Sequence, residues 1–101
     1  MKSLLANYDK AFDGKVRLGI MSVLMVNESL DFSHLKELLS LSDGNLASHL
    51  RALEEVGYVS VSKQFIGRKP NTSYAVSEIG RKAFMEHLNA LEELIRSQMP
   101  K

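Results

Sequence analysis

Two leucine stripes separated by one short break most constrain this chain. Leu35, Leu38 and Leu39 recur at helical spacing over 34–40, and Leu46, Leu50 and Leu53 recur over 43–56. Apolar residues at i, i+4 and i+7 mark one buried face of a helix. Only Leu41 and Ser42 stand between the two segments. Two short amphipathic helices must therefore meet at a tight turn, each turning its leucines to one shared core.

The second helix is unusual on its other face. Ser42 is placed to cap it by accepting an N–H from the first turn, and Asp43 suits the positive end of the helix dipole. At the helical repeat, Gly44, Ser48 and Arg51 point away from the leucines, with Asn45 and Ala52 beside them and His49 on the shoulder. Small residues at the start of a face allow close approach to another surface. Asn and Arg carry the paired donors and acceptors that match adenine and guanine edges. An ordinary solvated face has a similar composition. Arg51 could pair with Glu54 or Glu55 along the helix, and His49 could pack beside Leu46 and Leu53.

The rest of the chain frames this pair. Residues 3–12 read as a first helix on Leu4, Leu5, Tyr8, Ala11 and Phe12, with Ser3 as its cap. Asp13-Gly14 breaks it, and Asp13 is placed to cap the next helix. That helix, 15–26, is apolar almost all round and should be buried centrally, leaving Lys15 and Arg17 to solvent or a phosphate. Asn27-Glu28-Ser29 is a turn, and Leu30-Asp31-Phe32 a short extended piece. Ser33 is the expected cap of the helix 34–40. Short helix, turn and second helix together make a helix-turn-helix unit. Gly57 takes the left-handed cap position after the second helix. Val59, Val61 and Phe65 then alternate with Ser60, Ser62 and Gln64, as in a half-buried strand. Gly67–Asn71 reads as a turn and Thr72–Val76 as the returning strand. Ser77 caps a last helix, 78–98, along which Phe84, Leu88, Leu91 and Ile95 are spaced 4, 3, 4.

At 101 residues the chain is read as one domain, 45% hydrophobic and 25% charged, within the range of globular proteins. It has no cysteine, which excludes disulfides, thiolate metal sites and cysteine nucleophiles and agrees with a cytoplasmic location. His34, His49 and His87 form no ligand-spaced pair, and His34 and His87 read as surface residues. No metal or cofactor is expected, no membrane span is long enough, and no nucleophile–base pair suggests an enzyme. The net charge is +1, but it is unevenly placed. Residues 28–55 hold six acids against Lys36 and Arg51, whereas 56–77 hold Lys63, Arg68 and Lys69 and no acid. A basic hairpin tip on a near-neutral chain is the footprint expected on phosphate.

Three stretches carry a family resemblance: Phe32-Ser33-His34-Leu35-Lys36-Glu37-Leu38-Leu39, Leu41–Leu50, and Leu53-Glu54-Glu55-Val56-Gly57-Tyr58-Val59. With Thr72–Arg81 they resemble small stand-alone winged helix-turn-helix regulators of the MarR/ArsR type, over residues 12–95. The fold this implies is mainly α with a small antiparallel β-hairpin (α+β): a three-helix core, a wing and a long C-terminal helix. The function it implies is sequence-selective double-stranded DNA binding by a homodimer, with helix 43–56 in the major groove and wing 63–72 on the backbone or minor groove. Matching positions give Asn45, Ser48, His49 and Arg51 as base readers. Ser33, Ser42 and Gly44 at helix starts, and Lys63, Arg68, Lys69, Asn71 and Thr72 on the wing, become backbone contacts. Lacking cysteine and clustered histidine, the chain departs from the ArsR-type metal sensors.

On this reading residues 13–77 form the DNA-binding unit, and 1–12 and 78–101 are terminal helices for dimerisation. Phe84, Leu88, Leu91 and Ile95 serve either the core or a symmetric partner, and the partner is the preferred expectation. No residue set indicates a class of small-molecule effector. The rival reading is a winged-helix protein–protein interaction module that binds no DNA, which the six acids around the helix pair would suit.

Overall fold

A computed structural model describes residues 8–100. After a 3-10 turn at Lys10–Phe12 come α1 (Lys15–Met25), β1 (Leu30–Asp31), α2 (Phe32–Leu39), α3 (Asp43–Glu55), β2 (Val59–Ile66), β3 (Lys69–Val76) and α4 (Glu78–Ser97). The strands form an antiparallel sheet in the order β1-β3-β2. This is the expected three-helix core with a wing and a long last helix.

The core forms where the stripes predict it. Leu46, Leu50 and Leu53 of α3 are buried, with Leu35 of α2 and Ile20, Met21 and Leu24 of α1. Helix α1 packs on α2, α3 and β3, so its nearly all-round apolar surface is used. Removing such leucines from water contributes roughly 1.5–3 kcal/mol each.

Both ends of the helix pair close in the same way. At the end of α2, Ser40 takes a left-handed φ of 53°, its N–H bonds to Glu37 O, and Leu41 N–H bonds to Lys36 O. At the end of α3, Gly57 has φ of 80°, with its N–H on Glu54 O and Tyr58 N–H on Leu53 O. These nested bonds define the Schellman ending, which satisfies carbonyls the helix leaves open. Helix α3 then starts on Ser42, whose hydroxyl accepts Asn45 N–H at 3.2 Å.

Several expectations are corrected. Of the first helix, Ser3, Leu4 and Leu5 lie outside the described residues, and its visible end is only the 3-10 turn. That turn is capped by Asp9, which accepts Ala11 N–H at 2.9 Å. Asp13 does not cap α1: Gly14 holds that position, and Asp13 accepts the Tyr8 hydroxyl at 2.9 Å. Ser33 does not cap α2. Asp31, two residues earlier, accepts His34 N–H at 2.7 Å and does so, which places Phe32 inside the helix. Leu38 is 52% exposed, because the leucine pair at 38–39 exceeds the width of a short helix's buried face. The wing turn is only Gly67-Arg68, so Lys69, Pro70 and Asn71 belong to β3. A two-residue loop with positive φ at its first residue matches the twist of a hairpin, and Gly67 supplies it at 66°.

The start of α4 is locked to the body. Ser77 accepts Gly80 N–H through its hydroxyl at 2.9 Å and donates that hydroxyl to Gly57 O at 2.6 Å. Ser77 N–H also reaches Tyr58 O at 3.0 Å. Phe84 and His87 follow as the helix's buried side chains. Phe12 stacks on Tyr58 at 5.1 Å, meets Phe84 edge-on at 5.2 Å and lies 5.2 Å from His87. His87, expected on the surface, is therefore a core residue, 1% exposed. Its Nδ1 accepts Asp9 N–H at 3.2 Å.

Candidate nucleic-acid interface

Helix α3 offers its polar face intact. Gly44, Asn45, Ser48 and Arg51 are exposed opposite the buried leucines. Asp43 at its first turn is not a bare charge, since Lys36 of α2 sits 2.8 Å away. This pair lowers the negative field at the edge that α3 presents. Arg51 forms no ion pair with Glu54 or Glu55. The described ion pairs lie elsewhere, which leaves its guanidinium donors available.

The fold brings α3 and the wing to one groove of about 310 Å³, lined by Ala47, Leu50, Arg51, Glu54, Val61, Lys63, Thr72 and Tyr74. Three expected site residues, Arg51, Lys63 and Thr72, thus meet across it. The register explains this: Lys63 pairs with Thr72 and Val61 with Tyr74, so one face of the hairpin turns toward α3. Burial, and then the nearby Glu54 carboxylate, push the Tyr74 hydroxyl above its ordinary pKa. It stays a neutral donor at the groove floor. Arg68 and Lys69 lie at the exposed tip, and Asn71 is half-buried two pairs inward. Ser33, exposed in the first turn of α2, is not among the residues lining this groove.

His49 is held rather than free. Arg17 Nε donates to its Nδ1 at 3.1 Å, and Arg17 Nη1 reaches Ala11 O at 3.4 Å. A ring accepting at Nδ1 carries its hydrogen on Nε2. His49 is therefore a fixed donor at the side of α3, half-exposed. Arg17, expected to face solvent or a phosphate, is partly buried and does this positioning instead. Sequence reasoning named Arg17 and Glu54 but missed the bond of the first to His49 and the place of the second in the groove. A contact spanning 32 residues leaves no periodic trace, whereas Glu54 was legible as one turn from Leu50.

Among the described residues no group of three His, Asp or Glu side chains could hold a metal ion, and no helix is long and apolar enough to cross a membrane.

An exposed polar helix face beside a basic hairpin, on a three-helix core, defines a winged-helix DNA-binding regulator. The comparisons agree. Residues 16–95 match the family described as the winged helix DNA-binding domain, and the chain belongs to that family. An uncharacterised protein of Methanocaldococcus jannaschii is 36% identical over 88 residues, covering 87% of this chain and 96% of that one. A transcriptional regulator homologue from Pyrococcus horikoshii OT3 superposes with a TM-score of 0.79 at 33% identity, covering 86% of each chain. A MarR-family regulator from Enterococcus faecalis V583 shares the fold, with a TM-score of 0.68 at 22% identity over 92% of this chain and 76% of that one.

Proposed function

We propose that this chain is a homodimeric transcriptional regulator that reads a specific double-stranded DNA sequence. The observation that carries the reading is the shared groove: Arg51 of α3 and Lys63 and Thr72 of the wing converge beside the exposed face of Asn45 and Ser48. Asn45, Ser48 and Arg51 read base edges in the major groove, with the Nε2–H of His49 donating at their side. The first-turn N–H groups of α3, at Ser42 and Gly44, hold a phosphate. Lys63, Arg68 and Lys69 hold the flanking backbone, with Asn71 and Thr72 beside them. Residues 13–77 are the reading unit, and α4 joins two copies through Leu88, Leu91 and Ile95. Phe84 leaves that set, because at 3% exposure it belongs to the protomer's own core. Two copies related by a dyad read half-sites about 34–36 Å apart, so the site is near-palindromic.

The test is selection of bound duplexes from a random pool with the wild type, Asn45→Ala and Arg68→Ala. The expected result is a palindromic motif that Asn45→Ala blurs at defined positions, while Arg68→Ala binds all sequences more weakly. No enrichment at low salt would instead favour a protein-interaction module.

A further inference from the structure

Beyond Ser62 and Ser73 the sheet loses its third strand, since β1 pairs only as Leu30↔Tyr74 and Asp31↔Ser73. What remains is a two-stranded ribbon of four pairs, from Lys63–Thr72 to Ile66–Lys69. Such a ribbon has no core to fill, yet it carries two large apolar side chains. Phe65 is 74% exposed and Ile66 is 66% exposed. Phe65 lies opposite Pro70, a pair that covers little of the ring. By strand alternation Phe65 shares its face with Val61 and Lys63, which line the groove against α3. Ile66 lies behind it on the other face.

The fold does not explain an exposed aromatic here, and a bare apolar hairpin end invites association. The charges identify the occupant. Lys63, Arg68 and Lys69 surround the apolar tip, with no acid between residues 56 and 77. A partner that covers the tip must accept those cations and an aromatic ring together. With α3 in a major groove, a ribbon projecting beside it crosses one phosphate strand and arrives at the adjacent minor groove.

We propose that Phe65, backed by Ile66, is an apolar wedge that enters this minor groove and partly unstacks one base step. Lys63, Arg68 and Lys69 hold the flanking phosphates while the duplex kinks toward the major groove. The proposal deepens the DNA-binding reading and rests on it. Unstacking is easiest at pyrimidine–purine steps, so the wedge adds a preference at a position no polar side chain reads.

The experiment uses the full chain and a short duplex carrying the selected motif, with energy-transfer dyes at its ends and 2-aminopurine at the outer flexible step. Wild type, Phe65→Leu, Phe65→Ser and Arg68→Ala are compared. The expected result is that wild type brings the ends closer and brightens the 2-aminopurine. Phe65→Leu retains most of both signals, and Phe65→Ser loses them and binds about tenfold more weakly. The salt slope of Phe65→Ser should match wild type, because no phosphate contact is removed, while that of Arg68→Ala falls by about 0.9. If Phe65→Ser binds and bends like wild type, the wedge is wrong although DNA binding stands. If wild type enriches no duplex, the underlying reading fails before the wedge is reached. If Phe65→Ser alters the sedimentation of the free protein and not the DNA signals, the tip is a protein contact and the proposal is overturned.

Discussion

Gly80 has the least room for a side chain of the six glycines. A Cβ built there would overlap the carbonyl oxygen of Tyr58, which is backbone and cannot swing aside. Gly80→Ala should therefore push α4 off the α3–β2 turn and destabilise the fold by about 1–3 kcal/mol, read as a lower denaturant midpoint. Ser40 is the opposite case, a non-glycine in the left-handed region that a Schellman ending normally gives to glycine. Ser40→Gly removes a Cβ penalty of roughly 1–2 kcal/mol and adds unfolded-state freedom of about 0.5–1 kcal/mol. The expected net is a small gain in thermal stability. Tyr58 gives a pH signature. Its hydroxyl donates to Asp9 at 2.7 Å, and that bond, with partial burial and the nearby carboxylates, pushes it from 10.0 up to about 12. A raised value in the folded state means the bond's contribution is full below 10.0 and is lost as pH rises through about 12. Tyrosinate absorbance should show a group titrating near 12 that Tyr58→Phe deletes. If no tyrosine in the native protein titrates near 12, the Asp9 bond is not formed in solution.

At the scale of elements, Arg17 links α1 to the reading helix, and its role can be separated from a phosphate contact. Arg17→Met should loosen sequence preference beside His49 and leave the salt slope of binding unchanged. A slope reduced by about 0.9 would mean that Arg17 instead touches a phosphate. Leucine spacing located α2 and α3, because a buried stripe is periodic. The wing showed as alternation ending in Gly67, and the outward residues of α3 followed by subtraction. What failed to show was set by tertiary neighbours. Asp31 took the cap expected of Ser33 because pairing with β3 fixes where the chain enters α2. Phe65 alternates like a core residue, but the ribbon had already outrun the core. His87 read as a surface residue until Phe12, Tyr8 and Asp9 folded over it. The Arg17–His49 bond left no local trace at all.

At the scale of the molecule, the long axis is the informative one. The chain spans 60 × 25 × 21 Å with a radius of gyration of 15.7 Å, against about 13 Å for a compact domain of this length. The 20-residue helix α4 has its last buried residue at His87. The ten residues Leu88–Ser97 continue as helix with no fully buried side chain among them. Most helical stability in proteins comes from packing an amphipathic face, and this segment carries one. Its own sequence supplies a seam: Leu88 and Ile95 are 39% and 64% exposed, with Leu91 and Leu94 half-buried between them. A symmetric partner laying its α4 on this seam would bury all four and set two reading helices on one dyad. The double variant Leu88→Glu, Ile95→Glu places four carboxylates across that seam in a dimer. It should sediment as a monomer, lose helical circular dichroism equal to part of α4, and bind single half-sites far more weakly than the wild type binds the palindrome. The core ends at His87, so the DNA-binding body should unfold near the wild-type temperature at matched subunit concentration, less the dimer's own contribution. Wild-type protein that sediments as a monomer at micromolar concentration, with α4 fully helical, would remove the dimer and leave the exposed half of α4 for another partner.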